Sequence, residues 1–300
     1  MIGRAITESL LANGIEAKEN YSLKNSITFR VESIAAIAVF PDTAEKFVLA
    51  AKILKDNGVR TEIIGNGSNL FFANEYFDGA VIFTKNMKGV SVEGNVIRAE
   101  AGVLVTSLAS LAARESLSGL EFAYGIPATV GGAVYMNAGA YGGTVSDVLF
   151  ESLCYDVNND KIIKLPLSEH GFDYRKSVYM RGGLVCLGAT FTLQEGDRET
   201  IEAKMRENMT SRKEKQPLEL PSAGSYFKRP TGRFAGKLIE DCGLKGFSVG
   251  DAEVSKKHAG FIVNKGNATA RDILALEAEV RHRVFDAFGV TLEREVHVIE

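Results

Sequence analysis

Apolar residues recur along the chain with two periods, and each period marks a class of element. Behind Pro41-Asp42-Thr43, residues Phe47, Val48, Ala51, Ile53 and Leu54 fall at helical spacing. They predict a helix over 44–56, with Asp42 or Thr43 as N-cap and Asn57-Gly58 as its stop. The same logic predicts an N-terminal helix ending at Asn13-Gly14, with the rest of residues 1–24 a connector. Further helices are expected over 105–115, over the charged run 195–214, and over 270–288 between a cap at 267–269 and Gly289. Strand character is read at 26–31, 36–40, 59–64, 80–84, 89–93, 96–101, 148–157, 184–192 and a closing 290–299. Gly94-Asn95 and Asn158-Asn159-Asp160 suit hairpin turns.

One stretch follows neither period. Residues 125–143 read GIPATVGGAVYMNAGAYGG and carry no charge. The run is too short and glycine-rich for a membrane span, and it has no collagen-like glycine period. Glycine removes Cβ and permits positive φ, so such a backbone lets a flat, phosphate-bearing ligand come close. A tightly packed glycine/alanine core gives the same pattern. A second glycine loop, Gly65-Asn66-Gly67-Ser68-Asn69, follows the strand expected at 59–64. No Gly-Lys-Ser/Thr follows it, as a P-loop requires, and the third glycine of a dinucleotide fingerprint is missing.

Composition narrows the classes. The 300 residues are 45% hydrophobic and 24% charged, with net charge −3, which implies no general affinity for nucleic acid. The length suggests two or three domains. No signal peptide or bilayer-length apolar run is read, and Cys154, Cys186 and Cys242 are isolated, so a reduced cytoplasm is expected. His170, His258, His282 and His297 have no metal-ligand spacing, and no metal is expected.

GNGSNL and GIPATVGGAVYMNAGAYGG together resemble the FAD site of the UDP-N-acetylenolpyruvoylglucosamine reductases, in their shorter form. The resemblance continues in order through YRKS (174–177), AGSYFKRP (223–230), AGKLIEDCGLKG (235–246), HAGFIVN (258–264) and LEREV (292–296), over roughly residues 25–300. It implies an α+β chain: an FAD-binding domain of the vanillyl-alcohol-oxidase/PCMH type followed by a C-terminal α+β substrate-binding domain. The expected limits are 1–24 for the N-terminal piece, 25–195 for the FAD domain with lobes 25–84 and 85–195, and 196–300 for the substrate domain. Three positions depart from the family pattern: Thr28–Ser33 lacks a frequent Gly-Gly, Ala128 replaces a frequent glycine, and Arg229 stands where some members have asparagine.

The implied function is NADPH-dependent reduction of the enolpyruvyl UDP-sugar to UDP-N-acetylmuramate, for peptidoglycan precursor synthesis. Neither glycine loop holds His or Cys, so the FAD is expected to be non-covalent. Its contacts are expected at Gly65, Asn66, Gly67, Ser68 and Asn69, and at Gly125, Gly131, Gly132, Asn137, Gly139, Ala140 and Tyr141. The resemblance makes Ser225 the proton donor, and no Gly-x-Ser-x-Gly elbow argues for a hydrolase instead. Arg175 would hold the substrate carboxylate with its fixed fork, and Glu295 would polarise the enol-like intermediate. Strand alternation would place Glu293, Glu295 and His297 on one face. Tyr174 and Lys215 are the expected substrate contacts, Lys215 at the diphosphate. The partners are the UDP-sugar and NADPH, with no nucleic acid, membrane or protein partner implied. Two rival readings are another flavin oxidoreductase of this fold and a non-catalytic nucleotide-binding module.

Overall fold

A computed structural model describes residues 2–300 of the chain. The chain forms two compact units. Unit 1 comprises the chain up to Glu19 with residues 37–66 and 79–212; unit 2 comprises residues 20–36, 67–78 and 213–300. The units part at Arg212–Lys213, near the end of a helix, where the sequence places a domain limit at 195.

Unit 1 is built on two sheets. One, whose greater part lies in this unit, has four strands in the order Glu16–Ser22, Ile34–Phe40, Tyr76–Phe83, Thr61–Ile64. The last two are parallel, Ile64 opposite Phe83, which delivers the chain from Ile64 into the first glycine loop. The helix Ala44–Asp56 precedes this strand. Thr43, of the two cap candidates, accepts from the Lys46 amide at 3.2 Å, and Phe47, Ala50 and Leu54 are the buried stripe. Gly58 at φ 66° ends the helix. The other sheet is antiparallel, in the order Lys161–Pro166, Leu149–Asp156, Leu184–Thr192, Val96–Glu100, Val90–Glu93. The expected turns close its hairpins, Asp156 opposite Lys161 and Glu93 opposite Val96. The helix Val105–Arg114 buries Val105, Leu108, Ala109, Ala112 and Ala113 in the core of this unit.

Unit 2 has an antiparallel sheet in the order Ser222–Ser225, Phe261–Asn264, Ala252–Val254, Ser248–Val249. The helix Ala270–Phe288 packs Ile273, Leu276, Val280 and Val284 into its core. Its N-terminus is fastened by a reciprocal Thr269–Asp272 capping box, and Gly289 at φ 65° is its left-handed stop.

Four expectations need correction. Residues 16–22, expected as connector, are a strand. The segment 26–31 is not a strand, although Ile27, Phe29 and Val31 are buried in alternation. Arg30 has φ 55°, and the backbone finds single partners instead of a ladder: the Thr28 N–H donates to Gly67 O, and Asn264 Nδ2 donates to Phe29 O. The closing strand covers only His297–Ile299, because the chain changes partner at buried Val296. Before it, Arg294 bridges Phe227; after it, His297–Ile299 run parallel to Leu70–Phe72. Glu293, Glu295 and His297 therefore share no continuous strand face. Lastly, the glycine-rich stretch contains a helix, Val130–Tyr135, that the 3.6-residue pattern is too short to reveal.

Candidate active site

Within unit 1 the two glycine segments meet. Asn66 Nδ2 donates to Pro127 O at 2.7 Å, and a Cβ on Gly65 would run into the Thr129 side chain. Thr129 caps the helix Val130–Tyr135 and accepts from the Gly132 N–H at 3.4 Å. Val130 N–H and Gly131 N–H are already committed to Val103 O and Ala101 O. Several of these glycines therefore serve close packing within the protein. A Cβ on Gly125 would lie 2.7 Å from Arg212 Cδ, one on Gly131 3.0 Å from the Ala101 Cβ, and one on Gly139 2.7 Å from Gly143 O. Gly132 differs: its nearest neighbour would be Thr129 Oγ1 at 3.5 Å, an ordinary contact. Here the backbone face is open.

The stretch ends in a tight hairpin, Gly139–Ala140 against Gly143–Thr144. Its turn residues Tyr141 and Gly142 both have positive φ (52° and 87°), as the turn that matches strand twist requires. Asn137, buried at φ 41°, organises the approach. Its Oδ1 accepts from Ser146 N–H at 3.0 Å and its Nδ2 donates to Asp173 O at 3.2 Å.

Arg175 sits on this loop. Its Nη2 donates to Gly139 O at 3.0 Å and its Nη1 to Asn137 O at 3.5 Å. It occupies a two-residue turn closed by Asp173 and Lys176, which exchange both backbone hydrogen bonds. Arg175 has φ 51°, a left-handed conformation that costs a non-glycine residue about 1–2 kcal/mol. Ser177 Oγ donates to Tyr135 O at 2.6 Å and ties the same segment to the helix. The exposed Tyr174 ring lies 5.3 Å from the Arg175 guanidinium. Unit 1 thus joins Arg175 and Tyr174 to Asn137, Gly139 and the glycine segments, from positions far apart in sequence.

Unit 2 gathers the other candidates. Gly67 has φ 60°, and a Cβ there would lie 2.7 Å from Ser26 O and 2.8 Å from Ile27 Cα. The physical reason for this glycine is thus the protein's own backbone. Asn69 Nδ2 donates to Glu295 O at 3.1 Å, and Asn69 O accepts from His297 N–H. Ser225 ends the strand Ser222–Ser225 after an irregularity at Gly224, φ 78°, and is exposed. Such a bulge re-aims the side chain that follows it. The next carbonyl, Tyr226 O, accepts from the Glu295 N–H at 2.9 Å. Ser225 and Glu295, 70 positions apart, are therefore carried on paired segments. Lys215, the last residue of the helix Arg198–Lys215, is exposed.

Among the described residues, the amide N–H groups of Gly67 and Ser68 in unit 2 meet no acceptor. Consecutive main-chain donors of this kind suit an anion such as a pyrophosphate. Sequence reasoning missed Arg212. It packs over Gly125, and among the described residues its guanidinium has no hydrogen-bond or ion-pair partner. Burial lowers its pKa, opposed by the nearby Tyr141. The one available signal was its place three residues before Lys215, on the same helix. His170, Cys154 and Cys186 are buried inside unit 1. Cys154, Tyr179, Ser152 and His170 form one buried hydrogen-bonded chain that ends on Pro166 O. Burial raises Cys154 and pushes Cys186 up to about 12, far from a reactive thiolate.

Known proteins match this chain along most of its length. Residues 35–164 match the FAD binding domain family, and residues 216–299 match the C-terminal domain of UDP-N-acetylenolpyruvoylglucosamine reductase. A reductase of that name from Clostridium novyi (strain NT) is 49% identical over 284 residues, 95% of this chain and 92% of the relative.

The chain belongs to the UDP-N-acetylenolpyruvoylglucosamine reductase family.

A further member of the family, from Caldicellulosiruptor saccharolyticus, is 46% identical over 289 residues, covering 95% of this chain and 92% of the relative. The crystal structure of the Thermus caldophilus reductase superposes with a TM-score of 0.81 at 35% identity, over 95% of this chain and 99% of that one. A glucooligosaccharide oxidase from Acremonium strictum shares the fold alone, at TM-score 0.52 and 16% identity, over 96% of this chain and 60% of that one. The fold is α+β of the PCMH type, the cofactor is FAD, and the protein is an FAD-dependent oxidoreductase. No helix among the described residues is long and apolar enough to cross a membrane.

Proposed function

We propose that the chain reduces the enolpyruvyl ether of UDP-N-acetylglucosamine to UDP-N-acetylmuramate at the expense of NADPH, in the cytoplasm. Family membership supports the substrate. The observation that carries the site is the junction in unit 1 of the two glycine segments with Arg175, fixed by Asn66–Pro127 and Arg175–Gly139. Bound FAD supplies hydride transfer to the β-carbon of the enolpyruvyl group. The protein positions the substrate and manages charge and protons. Non-covalent FAD falls to residues 25–195 and the sugar nucleotide to 196–300, with residues 1–24 an N-terminal piece; the family matches to 35–164 and 216–299 support that division.

Gly65–Asn69 would hold the pyrophosphate through the unmatched N–H groups. Gly125, Gly131, Gly132, Asn137, Gly139, Ala140 and Tyr141 would line the rest of the cofactor. Arg175 would hold the substrate carboxylate and stabilise charge spreading onto it, a task suited to a planar fork. Ser225 would give its hydroxyl proton to the α-carbon. A serine is a weak acid, but hydride addition leaves a strongly basic enolate-like carbon. Glu295 would polarise that intermediate, while Tyr174 and Lys215 meet the sugar nucleotide, Lys215 at its diphosphate.

The test separates the half-reactions. In Ser225→Ala, reduction of the bound flavin by NADPH should proceed at nearly the parent rate, since no carbon is protonated. Reoxidation by the enolpyruvyl substrate should slow by about 10²-fold or more, the scale of a lost proton donor. Equal slowing of both steps would make Ser225 a structural or binding residue. Reoxidation of the parent by substrate no faster than by air would overturn the substrate assignment.

A further inference from the structure

Unit 2 buries one carboxylate that the proposed chemistry does not use. Glu277, on the core face of the helix Ala270–Phe288, is 2% exposed. It accepts from the Tyr226 hydroxyl at 2.8 Å and from Arg294 in a fork, Nε at 2.9 and 3.1 Å and Nη2 at 2.7 Å. Arg281, one turn along the helix, stands 3.5 Å from its Oε1. Removing a buried charge from water is costly, and its pairing seldom gains stability over an apolar core of the same volume. Such a cluster calls for a reason other than stability.

Its position supplies one. Tyr226 directly follows Ser225, and Arg294 directly precedes Glu295. The main chain ties the two segments through Glu295 N–H to Tyr226 O at 2.9 Å and Lys228 N–H to Glu293 O at 2.8 Å. The Glu277 carboxylate ties them a second time, through the side chains next to each candidate. A backbone bridge alone leaves a short pair of segments free to twist. A bidentate clamp from a rigid helix fixes that twist.

We infer that Glu277 is a positioning residue: through Tyr226 and Arg294 it sets the orientation of Ser225 and Glu295 for protonation of the substrate carbon. This rests on the roles assigned to those two residues. Glu277 itself touches no reacting atom. Misplacing a catalytic group by about an ångström can cost on the order of 10²-fold in rate. The effect belongs to the substrate half-reaction alone, because flavin reduction by NADPH needs neither Ser225 nor Glu295.

The experiment uses the flavin-loaded full chain in stopped flow, with each half-reaction measured separately. Glu277→Gln keeps the shape and removes the charge; Tyr226→Phe removes one donor. Glu277→Leu paired with Arg294→Met replaces the ion pair with apolar residues of similar volume and guards against a variant that fails to fold. Reoxidation by the enolpyruvyl substrate should fall about 10- to 100-fold in Glu277→Gln and in the apolar pair, and less in Tyr226→Phe. Reduction by NADPH should stay within about twofold of the parent. Combined with Tyr226→Phe, so that no buried hydroxyl loses its partner, the apolar pair should melt at or above the parent temperature while remaining slow, a combination that a merely stabilising role does not produce. Full recovery of the substrate half-reaction in the folded apolar pair, or equal slowing of both half-reactions, would overturn the inference. Ser225→Ala is run beside them. If it slows the substrate step and the Glu277 variants do not, only the positioning role fails. If Ser225→Ala leaves that step unchanged, both readings fail.

Discussion

A methyl group at Gly132 tests where the cofactor approaches, because there the protein itself does not object. The new Cβ would meet only Thr129 Oγ1, at 3.5 Å, and Gly132 lies in the first turn of the helix Val130–Tyr135 with ordinary φ. Alanine in a helix is favoured over glycine by roughly 0.5–1 kcal/mol, so the apoprotein should be as stable as the parent or slightly more. If FAD lies against this face, the methyl takes its space and affinity should drop tenfold or more, at least about 1.4 kcal/mol. Gly67→Ala is the opposite case. Its Cβ would sit 2.7 Å from Ser26 O and 2.8 Å from Ile27 Cα, at φ 60°. The left-handed conformation costs about 1–2 kcal/mol. Overpacking adds about 1–3, so the apoprotein should lose about 2–5 kcal/mol before any flavin is considered. Loss of flavin in a Gly67 variant therefore says little about contact with the cofactor. Both variants are stripped of flavin, melted, and titrated with FAD by fluorescence quenching. Unchanged affinity in Gly132→Ala would remove that face from the cofactor site. An unshifted apo melt in Gly67→Ala would refute the packing argument.

Other expectations follow from single contacts. Arg175→Lys loses the fork that a carboxylate needs, and the substrate half-reaction should fall about 10²- to 10³-fold with little change in melting temperature; a rate within threefold of the parent would contradict its role. Arg212→Gln removes a partly buried cation that has no hydrogen-bond or ion-pair partner among the described residues, so stability should hold or rise; a clear loss in a thermal melt would mean that the guanidinium is structural. Burial lowers the His170 pKa, so the folded protein keeps the ring neutral, Nδ1–H donating to Pro166 O and Nε2 accepting from Ser152. Its contribution is full above the unfolded value of about 6.5 and is lost as pH falls toward the depressed folded value. Melting temperature should therefore drop between about pH 7 and 5, and less steeply in His170→Gln; identical slopes would clear His170 of the effect. His258 adds to the parent slope with the same sign, since burial lowers its pKa and its Nδ1 accepts from the Gly260 N–H.

Elements with their own local signals were legible in the chain. The helix Ala270–Phe288 announces itself by its period and by the Thr269 and Gly289 ends, and the hairpin at 157–160 by its polar turn. Where a residue's partner lies far away, the reading failed. Ile27, Phe29 and Val31 alternate like a strand, yet their backbone is satisfied singly by Gly67 and Asn264. The acid run before His297 alternates too, but a change of partner at Val296 breaks the face.

By itself the sequence determined the kind of site: two uncharged glycine segments, a family of motifs in order, and the residue types for hydride and proton chemistry. Glycine's meaning at each position was left to the tertiary structure. It decided that Gly67 and Gly139 are required by neighbouring backbone, whereas Gly132 is open. It also fastened Arg175 to the carbonyls of Asn137 and Gly139, and tied the neighbours of Ser225 and Glu295 to one buried carboxylate. Local pattern records only how a residue suits its own element. Which distant atom occupies the space beside it depends on how the whole chain closes.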